Sequence, residues 1–167
     1  MKQPPEIAEL LRRLEEMPAF LEERSRRFDG DAARRPGPEG GFSFVEEVWH
    51  LADLEREGYG LRITRLREEH EPRLPDFDGA RVAHERRYRD RNVGQGLATF
   101  QAAREANLRL LAALSSAEWD RHGTQEHVGP LALRDLPAMM HAHDASHREE
   151  IEGLLGAAPV RPVTAPA

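Results

Sequence analysis

Apolar residues recur along this chain at the three- and four-residue spacing of amphipathic helices, in four long blocks. The first spans residues 6–28, with Ile7, Leu10, Leu11, Leu14, Met17 and Leu21 on one face. Pro18 falls inside it and predicts a kink or a second short helix, because proline cannot donate to the helical ladder. The second block spans residues 44–69 and carries Phe44, Val45, Val48, Leu51, Ala52 and Tyr59. Ser43, followed three residues on by Glu46, is a capping-box signature at its start. Gly58 and Gly60 each weaken a helix interior by about 1 kcal/mol relative to alanine, so a bend is allowed there. The third block runs over 93–115 through Val93, Leu97, Phe100, Leu108, Leu111 and Leu114. The fourth starts near Leu133 and ends near Leu155, with Pro137 tolerable in its first turn and Gly156 as a stop signal.

Between the blocks lie residues 29–41 and 71–79, both rich in proline and glycine, which predict linkers. Residues 80–90 are charged and predict either a short helix or the start of the next one. Residues 119–130 predict a polar loop, and 158–167, with Pro162 and Pro166, a disordered tail. The chain has no alternating strand pattern and no internal repeat. The expectation is an all-α protein, a four-helix bundle with long connections, formed as a single domain over residues 1–157.

Composition narrows the function classes. The formal net charge of -6 over 167 residues argues against nucleic-acid binding, which needs a basic footprint. No apolar run approaches the roughly 18 residues of a membrane span, and the N-terminal residues do not read as a secretory signal. With no cysteine in the chain, disulfides, thiolate metal sites and a cysteine nucleophile are excluded. The cytoplasm is the default location.

The fourth block carries the candidate chemistry. Leu136, Met140, Ile151, Leu154 and Leu155 form its apolar stripe; His143 and His147 fall inside that stripe one turn apart, and His141 points away. A buried imidazole without a partner costs about 1–3 kcal/mol. Two of them at i, i+4 can reach one metal ion, although two core histidines bonded to neighbouring side chains are the plainer alternative. His50 lies at the edge of the second block's apolar arc, beside Leu54 and Leu61, with Glu46, Asp53 and Glu57 nearby. Glu150 is close to His147. Of these carboxylates, Asp53 and Glu150 are preferred as partners for the ring nitrogens. Arg104 and Asn107 face the apolar side of the third block; Arg104 needs an acidic partner or must reach the rim. His122 and His127 lie in the polar loop and read as surface residues.

Taken in order, Met17-Pro18-x-x-Leu21, Arg35-Pro36, Trp49-His50-Leu51-Ala52-Asp53-Leu54-Glu55, Arg104, Trp119-x-Arg121-x-Gly123, Gly129-Pro130-Leu131-x-Leu133 and His143-Asp144-x-x-His147 resemble the DinB-like (YfiT-like) superfamily. The resemblance implies a four-helix bundle with a three-histidine metal site, carried here by His50, His143 and His147. Ala132 stands where a Ser or Thr cap is usual, and Phe42 where a Trp is often seen before the second helix. It further implies a divalent ion, zinc or nickel first and iron or copper next, with open coordination positions for a small-molecule substrate. Activities in the superfamily include transfer of a low-molecular-weight thiol to an electrophile and a thiol-dependent isomerisation; metal-assisted hydrolysis is the neighbouring chemistry. A non-catalytic metal-binding, stress-associated bundle is the alternative. Arg104 is a candidate contact for an anionic substrate group, and pairing through bundle faces implies a homodimer.

Overall fold

A computed structural model of the protein describes residues 5–156. The tail expected over 158–167 lies outside the described residues. The four amphipathic blocks form the bundle, the first two with a local departure from a plain helix. The first is split into α1 (Pro5–Leu14) and α2 (Glu16–Ser25). Pro18 stands in the first turn of α2, where a missing N–H costs nothing, so the block restarts rather than kinks in mid-helix. The second block is α3 (Phe44–Asp53), a π-helical turn over Leu54–Tyr59, and α4 (Gly60–Glu68). The π turn stands where Gly58 and Gly60 allow a bend. At the start of α3, Glu46 accepts both the backbone N–H and the hydroxyl of Ser43.

A short helix, α5 (Gly79–Glu85), precedes α6 (Val93–Ala112), and α7 (Leu136–Gly156) closes the bundle. Ahead of α7, Asp135 reaches back to accept the Ala132 N–H, which supplies a cap where the Ala132 side chain cannot. Strands were not expected, yet three short ones form: β1 (Arg73–Leu74), β2 (His122–Gln125) and β3 (Gly129–Ala132). β2 pairs with β3 as an antiparallel hairpin and with β1 in parallel. The polar loop expected over 119–130 is therefore largely this hairpin. Segments of two to four residues are too short to show a period of two, and Leu131 buries into the core from within one.

Apolar packing divides into two clusters. One gathers Leu14, Ile63, Leu66, Leu111, Leu136 and Met140, the other Met17, Phe44, Val48, Phe100 and Ile151. Along α7 the residues between Met140 and Ile151 include His143, Asp144 and His147; along α6, Arg104 lies between Phe100 and Leu111. A polar layer thus crosses the bundle between its two apolar ends. α3 is buried almost all round because α5, α6, α7 and the linker before α3 pack on it. Among the described residues no helix is long and apolar enough to cross a membrane.

Candidate metal centre

The polar layer brings together the three histidines that the sequence singles out. His50 from α3 and His143 and His147 from α7 each offer a ring nitrogen within 4.8 Å of the others. Nε2 of His143 lies 3.0 Å from Nε2 of His147. Two nitrogens bound to one zinc ion, each at about 2.0–2.1 Å, are separated by at most about 4.2 Å. His143 and His147 therefore already have chelating spacing, and His50 is within side-chain adjustment of it.

Electrostatics suit the same role. Burial, reinforced by the neighbouring His147, lowers the pKa of His143 to about 3 and that of His50 to about 4, so both rings are neutral near pH 7. Burial alone would also lower His147, but the hydrogen bond to Glu47 together with the negative charges of Glu47, Glu150 and Asp144 outweighs it and leaves its pKa raised. Glu47 Oε2 lies 2.5 Å from His147 Nδ1. Burial holds Glu47 up to about 7 against the pull of His147. With the Nδ1 hydrogen directed at Glu47, the Nε2 lone pair of His147 faces His143, and only a proton or a cation between the two rings relieves their repulsion. Carboxylate-fixed imidazoles of this kind are the rule for metal-binding histidines. The Nδ1 atom of His50 is buried and has no hydrogen-bond partner among the described residues.

Aromatic rings wall the site. Phe42 and Phe77 lie 5.5 and 6.1 Å from the His50 ring, and Tyr59 meets His143 edge-on at 6.2 Å. Gly79, at the start of α5, covers His50 so closely that a Cβ there would sit 2.5 Å from its Cε1.

The carboxylates preferred from sequence take other positions. Asp53 accepts from Tyr88 at 2.6 Å and pairs with Arg86 and Arg56, and it gives His50 no hydrogen bond. Glu150 Oε2 lies 3.7 Å from His147 Nδ1, beyond hydrogen-bond reach, because Glu47 occupies that position. Glu46 and Glu57 are engaged with Ser43 and with Arg86. Glu47 went unmarked in the sequence; its signal is a carboxylate between the core residues Val45 and Val48, one turn before His50.

Arg104 does not offer a free guanidinium. It is 1% exposed, and its two Nη groups donate to Asp144 twice, to Glu55 and to the Leu14 carbonyl. It ties α1, the π turn, α6 and α7 together instead of reaching the rim or a substrate. Asn107 donates to the Glu55 carbonyl at 2.8 Å and to its carboxylate at 2.9 Å. His141 lies in a surface hollow with Arg12, Arg13 and Arg148, away from the other three histidines. His122 and His127 are exposed at the hairpin.

A three-histidine cluster, largely buried in a helical bundle, is the arrangement of a metal-binding bundle protein. The sequence profile of the DinB superfamily matches residues 13–151, and the chain belongs to that superfamily. Its fold is similar to the solved structure of YfiT from Bacillus subtilis, described as a probable metal-dependent hydrolase with an unusual four-helix bundle topology. The two superpose with a TM-score of 0.83 at 21% identity, over 92% of this chain and 88% of that one. Among curated proteins no significant sequence match is found.

Proposed function

We propose that the protein is a divalent-metal-dependent enzyme acting on a small molecule, with His50, His143 and His147 holding the ion. The observation that carries this reading is the convergence of three imidazoles, His50 and His147 buried and His143 half-buried, with His50 and His143 neutral and His147 aimed by Glu47. Three protein ligands leave positions for substrate, as in catalytic rather than structural zinc sites. Zinc or nickel suits all-nitrogen ligation, and iron and copper also accept it. When bound, such an ion supplies Lewis acidity, enough to polarise a carbonyl or to activate a water or a low-molecular-weight thiol.

The chain's own residues do the rest. Glu47 fixes the tautomer and direction of His147. Phe42, Phe77 and Tyr59 exclude bulk water, which strengthens every electrostatic interaction within. Hydrolysis is the favoured reaction class, in keeping with the description of YfiT. Thiol transfer is the neighbouring one, with the thiol arriving as cosubstrate because the chain has no cysteine. The reading places the protein in the cytoplasm, without a nucleic-acid partner, as a homodimer; a monomeric mass by light scattering would remove the dimer.

The test is elemental analysis of the purified protein with absorption spectroscopy at the metal edge. His143→Ala and His147→Ala are expected to abolish tight binding, whereas His141→Ala leaves it intact. An unchanged metal-to-protein ratio in both of the first two variants would overturn the assignment. Turnover of activated esters and amides, with and without added thiol, then separates enzyme from inert bundle. A coordination sphere filled by protein side chains, with no turnover, would make the ion a structural tie between α3 and α7.

A further inference from the structure

Arg62 is 4% exposed and stands on α4, with the Tyr59 ring between it and His143. Among the described residues its guanidinium makes no hydrogen bond and no ion pair, and its Nε is buried without a partner. The surrounding acids are committed elsewhere: Glu55 and Asp144 hold Arg104, and Asp76 acts on Arg62 only at a distance from an exposed loop. The guanidinium carbon lies over the Tyr59 ring, 5.2 Å from its centroid, and that ring in turn meets His143 edge-on. Its charge is felt at His143.

The π turn is what brings Arg62 there. In an uninterrupted α-helix Arg62 would sit about 120° round from His50; the wider turn absorbs one residue and returns it to within about 20°. A buried cation without a counter-ion costs the fold stability, and a guanidinium is the side chain best shaped to grip an oxyanion with two parallel hydrogen bonds.

We infer that Arg62 determines the substrate specificity of this site by binding an oxyanion, a carboxylate or a phosphate ester, about one aromatic ring from His143. The inference rests on the metal-site reading for what happens to the rest of the substrate, but the anion contact itself can be tested apart from it. The substrate class is a small acidic molecule whose charged group is several atoms from the reacting bond.

The test titrates benzoate and phenyl phosphate calorimetrically into zinc-loaded and zinc-free protein, for the wild type, Arg62→Met and Arg62→Lys. Arg62→Met is expected to weaken anion binding about ten- to a hundredfold, as loss of hydrogen bonds to a charged group does. Arg62→Lys should fall between, because the charge stays and the fork geometry is lost. The zinc content should be unchanged in all three proteins, and the unfolding midpoint of Arg62→Met no lower than that of the wild type. Tighter binding of benzoate identifies a carboxylate and tighter binding of phenyl phosphate a phosphate ester; either supports the inference. Wild-type affinity in Arg62→Met, no binding of either anion by the wild type, or lost affinity accompanied by a lowered midpoint would overturn it. If the wild type takes up no zinc, the metal reading fails, while the zinc-free titration still decides the role of Arg62.

Discussion

Glu47 and His147 meet at 2.5 Å across the interface between α3 and α7, with both side chains buried. That contact orients the imidazole before any ligand arrives. Replacing the carboxylate by an amide removes the charge that aims the ring and leaves Nδ1 only a weaker, neutral acceptor. Glu47→Gln is expected to weaken metal binding by about ten- to a hundredfold, the usual effect of losing a carboxylate behind a metal-bound histidine. Competition against a chromophoric chelator measures it. An affinity within twofold of wild type would mean that Glu47 merely fills space.

Gly79 sets the position of His50 from the opposite side. A Cβ at residue 79 would lie 2.5 Å from Cε1 and 2.6 Å from Nδ1 of that ring, and the ring cannot retreat without leaving the other two histidines. Gly79→Ala is therefore expected to lower metal affinity while leaving the helical signal in circular dichroism unchanged. A variant with native affinity would show that α5 yields more easily than His50.

The helices and the His143–His147 pair were legible because both depend on local spacing, whereas His50 joined them only through the resemblance to the DinB-like superfamily. Apolar periodicity marks each block, and His143 and His147 fall one turn apart within a single stripe. What stayed hidden depends on departures from that spacing. The π turn at Leu54–Tyr59 shifts the register of everything after it, so Tyr59 and Arg62 reach the site although a straight helix places them elsewhere. Glu47 was obscured for a different reason. Partner choice among several nearby carboxylates is decided by which helices pack together, and Asp53 turned out to belong to Tyr88 and Arg86. The small sheet escaped because strands of two to four residues are too short to show a period of two.

Arg104 braces the layer on which the site stands. Its four Nη hydrogen bonds reach two carboxylates and a backbone carbonyl in a region closed to water. Arg104→Met would strand Glu55 and Asp144 as buried anions, and removing one partner of a buried ionic network costs about 3–5 kcal/mol. Urea denaturation should show that loss. Restoring neutrality with Glu55→Gln and Asp144→Asn in the same chain should recover part of it. Loss of substrate binding with full stability would instead return Arg104 to the role of substrate contact.

Asn107 guards the π turn that delivers Arg62. Within the widened turn the Glu55 carbonyl accepts the Gly60 N–H five residues on, and Asn107 donates a second bond to it from α6 at 2.8 Å. Gly60 makes room for the approach, since a Cβ there would press at 3.2 Å on both the Asn107 side-chain oxygen and the Glu55 carbonyl. Asn107→Leu keeps the volume and removes two hydrogen bonds to Glu55, one to its carbonyl and one to its carboxylate, at a cost of about 1–3 kcal/mol in all, while the carbonyl keeps its bond from the Gly60 N–H. Hydrogen exchange at the amides of 54–62 is expected to rise more than elsewhere, because the turn loses its external tie while the rest of the helix keeps its own bonds. Metal affinity should hold, since His50 precedes the turn, whereas anion binding at Arg62 should weaken because the residue's register depends on it. A uniform rise in exchange across the bundle, with metal and anion affinity falling together, would show that Asn107 supports the core as a whole rather than this turn.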